Sequence, residues 1–156
     1  KNDVITYWSQ SSKTTIKWLT SMRVAIVGNN EWQNRRKLQE VLQKLKLSYD
    51  DVIIIGAGGK EGANFMVRKY ALEFGMTYEE YNPSYSGHNL YSALPESYYG
   101  KNYHFSQLLH RMRLLAENCD YMIIMNNENT LNPQLKTAYN KIQKLKKPVV
   151  ILGWYL

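Results

Sequence analysis

With 156 residues, 44% of them hydrophobic and 13% aromatic, the chain is long and apolar enough for one domain with a sizeable core, which excludes a disordered polymer. A formal net charge of +7 favours an anionic partner: a nucleotide, a nucleic acid or an acidic protein. The single cysteine, Cys119, rules out an intrachain disulfide and a cysteine-based metal site, and no apolar run approaches the roughly 18 residues of a membrane span.

Residues 1–22 are polar yet carry Tyr7, Trp8, Ile16, Trp18 and Leu19. They read as an arm that packs on the domain or on a partner chain, with the domain itself expected from 23 to 156. No apolar signal segment marks the arm, so the expected compartment is the cytoplasm. The runs at 24–28, 52–56, 121–125 and 149–153 are short, continuous and rich in β-branched residues. That is the pattern of strands buried on both faces, hence parallel. A weaker strand is expected at 77–81. Helical spacing fills the gaps. Leu38, Val41, Leu42 and Leu45 mark the first helix; Ala63, Met66, Val67, Tyr70, Ala71 and Phe74 the second, with Gly75 as its stop. Leu108, Met112 and Leu115 mark the third, and Leu135, Ala138, Tyr139, Ile142 and Leu145, between Pro133 and Pro148, the fourth. Basic residues gather on the first helix (Arg35, Arg36, Lys37, Lys44, Lys46) and around the last (Lys141, Lys144, Lys146, Lys147), as two solvated faces or a binding surface. Cys119, between a helix and an apolar strand, reads as a core thiol.

This alternation predicts an α/β fold: a single-domain, Rossmann-like open parallel sheet of about five strands, order 3-2-1-4-5, with helices on both faces. Ligands of such sheets bind at the carboxyl ends of the strands, near the reversal of strand order. Here that crevice lies between the loops after the first and fourth strands, bordered by the loop after the second. The long connection 81–103 holds Pro83, Pro95, Gly87, Gly100 and five tyrosines after Tyr81, and has the makings of a lid that stacks on a base.

All three strand-end loops have unusual composition. The first contains Gly28, Asn29, Asn30, Glu31, Trp32, Gln33 and Asn34, where Asn and Gly tolerate positive φ and Asn34 is placed to cap a helix. The second holds Gly56, Gly58, Gly59, Lys60, Gly62 and Asn64. It matches neither the dinucleotide fingerprint, which places an acidic residue about 20 positions on, nor the P-loop, and reads as a tight turn or a phosphate site. The third is Asn126, Asn127, Glu128, Asn129, Thr130, Leu131, Asn132 and Pro133, an Asn-rich turn in which Thr130 can meet a phosphate or cap a helix. His88, His104 and His110 form no metal motif, and no resident cofactor is expected.

In order, these loops resemble the motifs of the SLOG superfamily of Rossmann-like nucleotide-binding domains, in particular its YspA-like branch; the superfamily also holds the LOG phosphoribohydrolases and the DNA-processing protein DprA. The resemblance runs from 23 to 152. The branch opens with Gly-Ser-Arg-acidic-Trp-Thr-Asp, where this chain has Gly28 to Asn34; it continues with Gly-Gly-x-x-Gly-Ala-Asp, where this chain has Gly58, Gly59, Lys60, Glu61, Gly62, Ala63 and Asn64. Arg111 stands nine residues before Asp120, as in LOG-like members, and Asn126 to Thr130 stand where those members have Gly-Gly-x-Gly-Thr. The resemblance implies that a ligand is lined by Gly28, Asn29, Asn30, Trp32, Gly58, Gly59, Lys60, Gly62, Asn64, Arg111, Asn126, Asn127, Asn129 and Thr130.

The departures bear on chemistry. Asn30 replaces an Arg, Asn64 an Asp, and Asn132 the Glu that LOG enzymes use in glycosidic cleavage. Such cleavage needs a carboxylate, and an amide cannot ionise. Glu31, Glu61 and Glu128 are substitute candidates, or simply surface residues at helix starts. The expectation is therefore a protein that binds a nucleotide or nucleotide-derived signalling ligand, of ADP-ribose or cyclic-nucleotide type, as sensor, carrier or sequestering protein. The alternatives are an N-glycosidic hydrolase or transferase and a DprA-like binder of single-stranded nucleic acid. The resemblance also implies a homo-oligomer, to which the arm and the apolar tail at 153–156 offer surface.

Overall fold

Strand β1 (Ser21–Gly28) lies at the centre of the sheet, and its alternating side chains divide the core in two. Val24 and Ile26 enter one apolar cluster, Ala25 and Val27 the other. The computed structural model describes residues 21–81 and 105–153, so the arm, most of the tyrosine-rich connection, the last three residues, His88 and His104 lie outside the described residues. β1 pairs in parallel with β2 (Asp51–Gly56), from Ser21 opposite Asp51 to Ala25 opposite Ile55. On its other side it pairs with β4 (Tyr121–Met125), from Val24 opposite Tyr121 to Gly28 opposite Met125. β3 (Thr77–Glu80) joins β2, and β5 (Val149–Leu152) joins β4, giving the order β3-β2-β1-β4-β5. The expected α/β architecture and strand order are the observed ones. β1 begins three residues before the apolar run at 24, because pairing with β2 reaches back to Ser21.

Helices α1 (Arg35–Ser48) and α2 (Gly62–Glu73) cover one face; α3 (Phe105–Glu117) and α4 (Pro133–Lys144) cover the other. Leu38, Val41, Leu42 and Leu45 are the buried stripe of α1, and Leu135, Ala138 and Ile142 that of α4. Asn34 caps α1, its side chain accepting from Lys37 N at 3.0 Å. Asn132 caps α4 in the same way, accepting from Leu135 N at 2.9 Å, with Pro133 in the first turn. After α2, Gly75 takes φ 71° and ends the helix.

The amino ends of β1, β4 and β5 are closed by charges and backbone, with one pair reaching to Glu79 near the end of β3. Arg23 Nη2 meets Glu79 Oε1 at 2.7 Å across β2, and Arg23 Nε donates to Asn118 O at 2.8 Å. Burial opposes the guanidinium charge, but Glu79 and Tyr81 together outweigh it, so the Arg23 pKa is raised. Asp120 accepts from Arg23 N at 2.8 Å and returns its own N–H to Arg23 O at 2.7 Å. Lys147 Nζ donates to Ala116 O and Glu117 O at 3.0 and 2.9 Å. Cys119 is a core thiol, as expected, and burial pushes its pKa up to about 12. No helix among the described residues is long and apolar enough to cross a membrane.

Candidate ligand-binding site at the strand ends

The loop after β1 is pressed against the start of α2. A Cβ on Gly28 would stand 2.4 Å from Ala63 Cβ and 2.4 Å from Met125 O, so only glycine lets the helix dock here. Asn29 is buried; its carbonyl accepts from Ala63 N at 3.1 Å, and Asn30 is exposed. Asn64, expected at the ligand, turns both polar atoms to Gly28. Its Oδ1 accepts from Gly28 N and its Nδ2 donates to Gly28 O, each at 3.1 Å. This pairing needs a donor and an acceptor on one side chain, which an amide supplies and a carboxylate does not. The amide at the position where the SLOG motif has an acid therefore has a structural reason. Trp32, also expected at the ligand, is wholly buried in the core, with Nε1 donating to Asn34 O at 3.0 Å.

The glycine loop after β2 divides by cause. Gly58 has φ 72° and faces the Glu80 carboxyl, whose carbon would lie 2.6 Å from a Cβ. Gly62 has φ 74°, and a Cβ there would lie 2.4 Å from Asn30 Cα. Both need glycine for the fold alone. Gly59 does not: the nearest atom to its notional Cβ is at 3.6 Å, and its φ is ordinary. It is the position where backbone is bare without a packing reason. Lys60 beside it is exposed. The loop leads into α2, whose start carries no side-chain cap, unlike α1 and α4. Arg111, buried on α3, donates to Ala57 O at 2.7 Å and to Gln134 Oε1 at 3.0 Å, tying this loop to the first turn of α4.

The loop after β4 is an amide network. Asn126 is buried; its Nδ2 donates to Glu128 O at 3.0 Å and Thr130 O at 3.4 Å. Asn127 Oδ1 accepts from Asn29 Nδ2 at 2.6 Å, and Asn127 Nδ2 donates to Glu31 O at 3.0 Å. This bridge joins the loops after β1 and β4 across the reversal of strand order. It lines a cavity of about 360 Å³ with Glu31, Gln33 and Asn34. Asn129 and Thr130 are exposed, and the α4 cap falls to Asn132 rather than Thr130. Within this network Asn29 Oδ1 and Asn126 Oδ1 are buried acceptors without a donor.

The carboxylate candidates Glu31, Glu61 and Glu128 are all exposed. Among the described residues the enclosed carboxylate is Glu80, at the carboxyl end of β3, 2% exposed and accepting from the Tyr78 hydroxyl at 2.7 Å. The sequence reading missed it because 77–80 looks polar. The available signal was the two-residue spacing that puts Tyr78 and Glu80 on one face. Gln134 was also missed, and nothing in the sequence marks it. Among the described residues no three of His, Cys, Asp and Glu are grouped to hold a metal ion. The arrangement offers backbone N–H groups, amides and one buried guanidinium, the means of holding a polar ligand.

Sheet order and crevice place the chain among Rossmann-like α/β domains. No family model matches it, and no curated protein matches it. Solved structures do. One is the molybdenum cofactor binding protein from the phototrophic bacterium Rippkaea orientalis, at TM-score 0.62 and 14% identity over 86% of this chain and 78% of that one. Another is the molybdenum cofactor carrier protein from Chlamydomonas reinhardtii, at TM-score 0.55 and 17% identity over 85% and 77%. At such identities the likeness is one of fold.

Proposed function

We propose that the chain binds a phosphorylated, nucleotide-type small molecule at the carboxyl ends of its strands and holds it without cleaving it, as a cytoplasmic sensor, carrier or sequestering protein of SLOG type. The observation that carries this reading is the start of α2. A glycine with open space, Gly59, precedes a helix whose first turn no side chain caps, and a buried guanidinium, Arg111, sits under the loop. Asn29 O takes the Ala63 N–H, and no side chain caps the rest of the first turn, which with the helix dipole favours an anion there. Holding is favoured over cleavage because Asn64 and Asn132, which stand where the family has acids, are engaged by Gly28 and Leu135, and the nearby candidate carboxylates are exposed. The fold likeness to proteins described as binding and carrying molybdenum cofactor supports the same reading. That cofactor, a phosphorylated pterin, shares with a nucleotide a phosphate and a flat heterocycle.

The test is mass spectrometry of small molecules that co-purify with the chain, with thermal shifts against AMP, GMP, cyclic nucleotides, ADP-ribose and phosphorylated pterins. A ligand at 100 times its Kd adds about 2.7 kcal/mol of stability. Failure of every probe to shift the transition overturns the reading. Release of free base from AMP, abolished by Glu31→Gln, Glu61→Gln or Glu128→Gln, would establish cleavage instead. A steep fall of log K with log salt would establish nucleic-acid binding. We also propose a homo-oligomer. Leu47 is 80% and Phe105 53% exposed, and sedimentation at micromolar concentration reads the outcome directly.

A further inference from the structure

Asn29 and Asn126 are 2% and 6% exposed, and each leaves its Oδ1 buried without a donor. They stand side by side in the fold. They are the first residues past Gly28 and Met125, which face each other in register. Both extend the ladder one step: Asn29 N donates to Met125 O at 3.2 Å, and Asn126 N to Leu152 O at 2.9 Å.

The orientation of both amides is fixed by their partners. Asn126 Nδ2 faces the carbonyls of Glu128 and Thr130, which can only accept. Asn127 Nδ2 faces the carbonyl of Glu31, so Asn127 Oδ1 is the atom turned to Asn29 and can receive only its Nδ2. Turning either amide over would set oxygen against oxygen. Each of the two residues therefore keeps its NH2 group for the protein and leaves an oxygen over.

We propose that Asn29 Oδ1 and Asn126 Oδ1 are the specificity pair of the crevice, receiving hydrogen-bond donors from the uncharged part of the ligand: the N–H groups of a flat heterocycle or the hydroxyls of a sugar. This rests on the ligand-binding reading above and adds a polarity to it. The anionic end of the ligand lies at Gly59 and the start of α2; the donor-bearing end lies at the junction of β1 and β4. A phosphate at that junction would set charged acceptors against two amide oxygens, so the junction itself is not the phosphate site. Both oxygens are covered, so the donors enter as the two loops part. The bond between Asn127 and Glu31 is exposed and borders the cavity of about 360 Å³, which makes it the latch.

The experiment is a thermal-shift and titration series on the full chain with guanosine, inosine, 2′,3′-dideoxyguanosine, pterin, ribose 5-phosphate and inorganic phosphate. Guanosine or pterin, which carry no phosphate, is expected to bind and raise the transition. Inosine separates the base amine, and the dideoxynucleoside separates the sugar hydroxyls; one of these losses is expected to weaken binding at least tenfold. Asn126→Ala is expected to lower guanosine or pterin affinity at least tenfold as well. Should that variant fail to fold, the side-chain amide resonances of Asn29 and Asn126 in the unaltered chain are expected to move on adding nucleoside. Shifts by phosphate probes without any by nucleosides or pterin overturn the donor pair and leave the ligand-binding reading standing. Shifts by potassium over choline, with none by nucleosides or pterin, overturn it in favour of a cation. No shift by any probe overturns both.

Discussion

At the amino ends of β1, β4 and β5, Arg23 reaches across β2 to Glu79 near the end of β3, and Asp120 and Lys147 accept from or donate to backbone. At the carboxyl ends of the same strands, Asn29 and Asn126 each keep a buried oxygen unpaired, and α2 begins without a side-chain cap. A buried unpaired acceptor costs about 1–3 kcal/mol against a total stability of roughly 5–15 kcal/mol. One edge of the sheet is finished for stability. The other carries a cost that the fold alone does not explain, the kind of local inconsistency expected where a protein meets a partner.

The largest way to break this contrast is to attack the contact that shapes the carboxyl edge. In Gly62→Ala the new Cβ would meet Asn30 Cα at 2.4 Å and the carbonyl oxygens of Asn29 and Asn30 at 2.6 Å, on a backbone with φ 74°. Backbone atoms cannot step aside as a side chain does, so a loss of about 3 kcal/mol in urea unfolding is expected. A loss below about 1 kcal/mol would mean that the loop after β1 and α2 are not packed as described. Asn64→Asp is the next largest. It keeps one bond to Gly28 and turns the other into oxygen facing oxygen at the position now held by Nδ2, 3.1 Å from Gly28 O. A cost of about 2 kcal/mol is expected at neutral pH. The sign with pH follows: a carboxylate held against a carbonyl binds its proton more tightly folded than unfolded, so the variant regains stability as pH falls. A penalty that does not shrink in acid would overturn the pairing.

Arg23→Met removes the main charge pair of the amino edge, whose side chains keep 31% and 19% of their exposure. Solvent screening limits the effect to about 1 kcal/mol, and it should fall further in high salt. Ligand binding should be unchanged, because Arg23 lies in the amino half of β1, away from the loops after β1 and β4 that form the crevice. A loss of binding with intact folding would erase the division of labour between the two edges.

The sheet was legible because β-branched runs and the 3.6-residue spacing are local signals, and so was the Asn34 cap. The site was legible only as an address. That Gly58, Gly59 and Gly62 cluster could be read directly; that two of them answer to backbone and to Glu80, and Gly59 to neither, depends on atoms brought in from β1 and β3. The role of Asn64 rests on Gly28, 36 residues away. The two orphaned oxygens emerge only once every other amide in the network has been assigned, which no window of sequence contains. Trp32 had no periodic context to mark it as core rather than crevice.

The smallest expected effect sharpens the comparison most. Gly59→Ala adds a methyl where the nearest neighbour is 3.6 Å away and φ is ordinary, so it should change folding stability by less than about 0.5 kcal/mol, and slightly upward if the unfolded chain loses freedom. Gly62→Ala, three residues on in the same loop, is expected to cost several times more. If bare backbone at Gly59 serves a phosphate, the same methyl should weaken inorganic phosphate or AMP by tenfold or more while urea unfolding stays put. A protein that tolerates the methyl in both respects would make this loop a turn and nothing else. A protein that loses only the ligand would separate, within four residues, a glycine kept for folding from a glycine kept for binding.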